Sequence, residues 1–177
     1  MAKTYDPIAT YTVSSSSTAT YTFSSIPSTY TDLVVIASVR SDTAANTTGF
    51  LSQVNSATGN SYDGFYLRGD GTSVTSARYN KFINPTYAAP VGTMVANSAT
   101  AGIFSNHIIN WMSYSNTTTY KAFLARNNSA NNTATGYVEE VVNMYFGSAA
   151  ISSITLFPEV GNFVAGSTMT IYGIKAA

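Results

Sequence analysis

The sequence holds one histidine, eight carboxylates and no cysteine in 177 residues, and those counts bound the chemistry it can perform. General acid/base work near neutral pH falls most often to His, whose proton moves in that range. His107 stands inside the apolar run Ile103 to Trp111. Period-2 alternation there puts it on one face with Ile109 and Trp111, the setting of a packed strand residue rather than of a base. The missing cysteines remove thiol nucleophiles, disulfides and thiolate metal sites together. Serine is too abundant for any single one to stand out, and no Gly-x-Ser-x-Gly turn is present.

The carboxylates are Asp6, Asp32, Asp42, Asp63, Asp70, Glu139, Glu140 and Glu159. Hydrolysis by paired carboxylates needs two of them facing each other across a cleft. Glu139 and Glu140 are neighbours in a candidate strand, so they point to opposite faces. Asp63 and Asp70 flank Gly64 to Arg68 and, with Asn60, form the one grouping suited to a cation. The calcium-loop spacing D-x-[DN]-x-[DN]-G is missing there. No catalytic, cofactor-binding or metal-ligating residue is assigned on this basis.

Two short motifs have simpler readings than their names suggest. Arg68-Gly69-Asp70 matches an adhesion tripeptide, but Arg68-Gly69-Asp70-Gly71 reads as a hairpin corner in which glycine supplies backbone freedom. Asn46-Thr47-Thr48, Asn116-Thr117-Thr118 and Asn131-Asn132-Thr133 fit a glycosylation triplet, which arises readily by chance in a chain this rich in Asn and Thr. The aromatic residues offer a binding alternative. Tyr62, Tyr66 and Tyr114 are the candidates for a platform on which sugar rings stack, while Trp111 and Phe65 read as core.

The elements that must position these residues are strands. Ser, Thr and Asn make up about a third of the chain and aromatic residues 13%. Ser and Asn compete with helical hydrogen bonds through their own side chains, whereas β-branched and aromatic residues suit a pleated surface. Thr10 to Val13 and Thr18 to Phe23 alternate, and Leu33 to Arg40 begins as a continuous apolar run expected of a central strand covered on both faces. Further candidates are Phe50 to Val54, Tyr62 to Arg68, Ser73 to Tyr79, Ile103 to Tyr114, Tyr120 to Arg126, Tyr137 to Phe146, Ile151 to Phe157 and Thr168 to Ile174. Thr58-Gly59-Asn60 and Asp70-Gly71 mark tight corners. Pro85 and Pro90 predict a long loop, at most an edge. Only Glu139 to Met144 leaves a helix open. Roughly ten short strands at these intervals predict an all-β, antiparallel two-sheet sandwich spanning residues 1–177 as one domain, with residues 1–16 an extended N-terminal arm or edge strand.

Eight basic residues balance eight acidic ones, and charged residues are only 9% of the chain. That leaves no field to draw in nucleic acid or an anionic membrane, so neither is an expected partner. A surface with so little charge lacks the usual electrostatic protection against association, so the expected partners are other protein subunits. The first residues lack the apolar segment of a signal peptide, and Leu33 to Ala37, the longest apolar run, is too short to span a bilayer. Synthesis without secretion is the expectation.

Three stretches resemble the small virion structural proteins of tailed bacteriophages. Tyr21-Thr22-Phe23-Ser24-Ser25-Ile26-Pro27-Ser28-Thr29-Tyr30-Thr31-Asp32-Leu33, running into Val34 to Arg40, is similar to their opening hairpin. Gly59-Asn60-Ser61-Tyr62 and Gly69-Asp70-Gly71-Thr72 are similar to their central segment. Ile151 to Pro158, Gly161-Asn162-Phe163 and Ala165 to Ile174 resemble their C-terminal signature. The resemblance implies a jelly-roll-like sandwich at the virion surface, with Pro27 and Pro158 as turn formers, Tyr172-Gly173-Ile174 in the closing strand and no cofactor. It implies a non-enzymatic capsid decoration, or cement, protein, made in the host cytoplasm and acting as a homotrimer on the major capsid protein. The alternative is a tail-appendage module that binds host-surface carbohydrate. Relatives occur inside longer tail proteins, and the lack of a coiled stalk here favours the decoration protein.

Overall fold

The computed structural model describes residues 4–15, 18–58, 61–79, 88–130 and 136–175. Gly59, Asn60, Pro85 and the triplet Asn131 to Thr133 lie outside the described residues. Within them the chain is all β, with no helix. The strands are β1 (Tyr5–Thr12), β2 (Tyr21–Phe23), β3 (Asp32–Val39), β4 (Thr47–Val54), β5 (Tyr62–Gly69) and β6 (Val74–Tyr79). They continue as β7 (Ala89–Val95), β8 (Ser105–Trp111), β9 (Lys121–Asn128), β10 (Val138–Tyr145), β11 (Ile154–Pro158) and β12 (Thr168–Ile174).

Two antiparallel sheets form, one of eight strands in the order β1-β12-β3-β8-β9-β10-β5-β6 and one of four in the order β2-β11-β4-β7. The pairs β1 with β12, β2 with β11, β3 with β8 and β4 with β7 are nested inside one another along the chain. That nesting is the wrapped-hairpin topology of a jelly roll, whose two Greek keys need eight strands. The remaining four strands are insertions. The hairpin β5-β6 enters between β4 and β7, β9 and β10 enter between β8 and β11, and together they double the width of one sheet.

The core lies where the two sheets face. On the inner face of the larger sheet, Ile171, Val35, Ile109, Ala125, Val141 and Tyr66 stand side by side across β12, β3, β8, β9, β10 and β5. Phe50, Val54, Ile154 and Leu156 of the smaller sheet join the same buried cluster. Arg40, at the end of β3, is 5% exposed. Its guanidinium donates to the carbonyls of Asn97, Ala99, Thr100 and Ile103 at 2.7–3.3 Å, fastening the turn after β7 to the sheet. Burial pulls its pKa below the usual arginine value.

Twelve strands form among the described residues where roughly ten were expected, and the one that matches no candidate segment is β7. Pro90 lies within it, against the reading of that region as a loop. A proline removes a ladder donor and is tolerated at an edge or a bulge, and β7 meets both conditions. It is the edge of the smaller sheet, and its register with β4 jumps between Phe50–Gly92 and Leu51–Pro90, leaving Val91 as the extra residue. Glu139 to Met144, open to a helix in sequence, is strand β10. The stretch Thr18 to Phe23 is strand only at Tyr21–Phe23, with Thr18 in an isolated bridge to Phe163. β3 is not covered on both faces, because Ile36 is 45% exposed.

Candidate functional site

The inserted strands widen the larger sheet past the smaller one, whose edge strand β7 supplies most of the packing over β9, β10 and β5. Beneath β7 the inner face turns polar. His107, Asn127, Glu139 and Arg68 stand in one cross-strand row over β8, β9, β10 and β5. The Glu139 side chain is fully buried and sits 2.6 Å from the Arg68 guanidinium. Its carboxylate also accepts the backbone N–H of Thr93 at 2.6 Å and the Thr93 hydroxyl at 3.0 Å. Asn127, its amide oriented to suit its neighbours, donates to Glu139 Oε2 at 2.8 Å and to the Thr93 carbonyl at 3.2 Å. Arg68 lies over the rings of Tyr66 and Tyr137, 4.9 and 4.5 Å from their centroids. A buried carboxylate with that many donors is saturated as an acceptor.

Gly92 makes the arrangement fit. Its φ of 128° lies in the region glycine favours, and any side chain there would collide with the Asn127 amide. The β7 bulge therefore lowers backbone onto the polar row. His107, next to Asn127, is fully buried, packs edge-on against Phe50 at 4.7 Å and has neither ring nitrogen in a formed hydrogen bond. Burial pushes its pKa down to about 3, with the Val91 carbonyl opposing. It is a neutral core ring, on one face with Ile109 and Trp111 as the alternation required.

The other residues singled out in sequence are scattered. Asp63 pairs with Arg78 across β5 and β6, on the outer face. Asp70 accepts from the backbone and hydroxyls of Thr72 and Ser73, bonds that hold its carboxyl well below the usual range. The two carboxylates serve separate partners. A shallow pocket beside this corner is bordered by Asp70, Asn128 and Tyr137, and both oxygens of its one carboxylate, Asp70, are engaged. Arg68 of the adhesion-like tripeptide is committed to Glu139. Glu140 faces away from Glu139 and pairs with Arg126 at 3.2 Å.

The three-tyrosine platform is not assembled. Tyr114 is fully buried, with its hydroxyl donating to the Pro27 carbonyl. Tyr62 is 5% exposed and its oxygen accepts the Val54 N–H at 2.7 Å, while burial raises its pKa. Tyr66 packs on Tyr79, with ring centroids 4.7 Å apart. Rings at inner positions are used as core, so two of the three present no face to a ligand. Trp111 is core, but Phe65 is 56% exposed, against expectation.

Phe65 belongs to a feature that strand-by-strand reading missed. On the outer face of the larger sheet, Val34, Asn110, Leu124, Val142 and Phe65 form one row. Ile36, Ile108, Arg126, Glu140 and Leu67 form the next. Ile36, Ile108, Val142, Phe65 and Leu67 are each 45–56% exposed. Antiparallel sheets with one wet face normally show polar residues there. The signal was present as broken alternation, in Val34-Val35-Ile36 and in Val141-Val142, where both faces receive an apolar side chain.

No family model matches this chain, and no curated protein matches it.

Proposed function

We propose that this chain is a non-enzymatic assembly subunit of a virus particle, a capsid decoration protein that stabilises a phage head by bridging major capsid protein subunits. The observation that carries the reading is the apolar centre of the eight-stranded sheet's outer face, on a chain of zero net charge. Contiguous exposed apolar surface marks contact with another macromolecule. The phage head, the homotrimer and the place at the virion surface come from the resemblance of the opening, central and C-terminal segments to virion proteins.

A structural role also agrees with how the titratable residues are used. His107 is a neutral core ring, and Glu139 is saturated by donors. The tail-appendage alternative, with a host glycan as ligand, loses two of its three rings to the core.

The test is immunogold labelling, with antibody to this protein, of purified particles of the encoding phage. Label spread over the head is the expected result. Label confined to the tail would move the protein to the appendage, and particles free of label and of its peptides in mass spectrometry would overturn the virion reading.

A further inference from the structure

We propose that the outer face of the eight-stranded sheet is the surface on which a second copy of this chain docks. The inference rests on the assembly reading above and adds the surface and its occupant. Its first support is size. Eight strands at about 4.8 Å spacing and seven residues at about 3.4 Å each give a face of about 900 Å². A stable interface needs about 800 Å² from each partner.

The second support is the distribution of charge. The cations Arg126 and Arg78 are each paired with a carboxylate, Glu140 and Asp63, within this same face. Asp32, at the end of β3 on the same face, accepts the Ser113 N–H, and a copy of the chain approaching the apolar rows meets no unbalanced charge among them, whereas like charges brought together would oppose association. A strongly charged partner would find no complement. The third support is the layout. Ile36, Ile108, Val142, Phe65 and Leu67 occupy the middle strands, while Thr10 and Thr170 on β1 and β12 and Ser76 on β6 lie toward the two edges of the second row. A largely apolar face with an ion pair at its middle and hydroxyl groups toward its margins has the composition of contacts between copies, and permanent ones are the more apolar.

Sedimentation velocity of the full chain at micromolar concentration tests this, with Ile108→Glu and Val142→Lys made separately. Both side chains stand at exposed positions, so each variant should keep the far-UV spectrum and a cooperative melt. Thr22→Glu, on the outer face of the smaller sheet, is the control. The expected result is a self-associated native chain and control, with each face variant weakened by about thirtyfold or more in dissociation constant. Association unchanged in both face variants would overturn the proposal, as would a monomeric native chain. A native monomer that still labels the phage particle would sink this inference alone. Face-dependent association in a protein absent from particles would sink the virion reading alone.

Discussion

At the scale of single residues the polar row beneath β7 sets the terms. His107 is neutral in the fold, with a pKa near 3, and unfolding returns it to about 6.5. Between those values the unfolded chain binds a proton that the folded chain refuses, so stability falls as pH drops from 6.5 toward 3 and this contribution is flat above 6.5. The full loss is on the order of 5 kcal/mol. Urea unfolding of the native chain and of His107→Leu at matched pH isolates it, because the carboxylates act equally in both. The difference between the two should shift in favour of the variant as pH falls through that window. Glu139 makes the opposite case. Its removal leaves the Thr93 N–H and the Asn127 amide without their acceptor and takes the carboxylate from Arg68, which keeps its bond to the Thr93 hydroxyl. Glu139→Ala should cost about 3–5 kcal/mol at pH 7, the range for breaking a buried ion pair from one side, and chemical denaturation would read it directly.

At the scale of elements, the bulge of β7 is what lets a four-stranded sheet cover the inserted strands of a wider one. Gly92 is required there by its φ and by the nearness of Asn127, whereas Gly69, in β5, has open space where a side chain would stand. Gly92→Ala should therefore cost more than about 2 kcal/mol, because strained backbone and collision add. Gly69→Ala should change stability by less than about 0.5 kcal/mol, and thermal melts of the pair would expose any failure of that contrast. Strands with one dry face were legible in sequence, since Thr168 to Ile174 alternates as its burial does and the stretch expected over Ile103 to Tyr114 does so across Ser105 to Trp111, the part that forms strand. β7 was not legible, because Pro90 is compatible with a strand only when the strand lies at an edge or carries a bulge, and both are properties of the partner strand. The tyrosines failed for a related reason. Tyr62 and Tyr114 look alike in sequence to exposed rings, and only the fold decides that their hydroxyls find Val54 and Pro27.

For the whole molecule the governing fact is a surface with few charges, arranged so that those among the apolar rows of the broad face are paired. Association through such a face is driven by removal of apolar area from water, which simple salt barely changes, because screening acts on unbalanced exposed charge. Sulfate is excluded from protein surface and strengthens effective burial. The association constant of the native chain should therefore stay within about twofold between about 0.05 M and 0.5 M sodium chloride, where the Debye length shrinks severalfold. It should rise when sulfate replaces chloride at equal ionic strength. An interface built instead on Arg126 and Arg78 reaching across to carboxylates of another subunit would weaken steadily with sodium chloride. Sedimentation at several concentrations of the two salts separates these outcomes. A steep chloride dependence would mean that the pairs Arg126–Glu140 and Arg78–Asp63 open and re-form between copies, and the apolar rows would then be bystanders to an electrostatic contact.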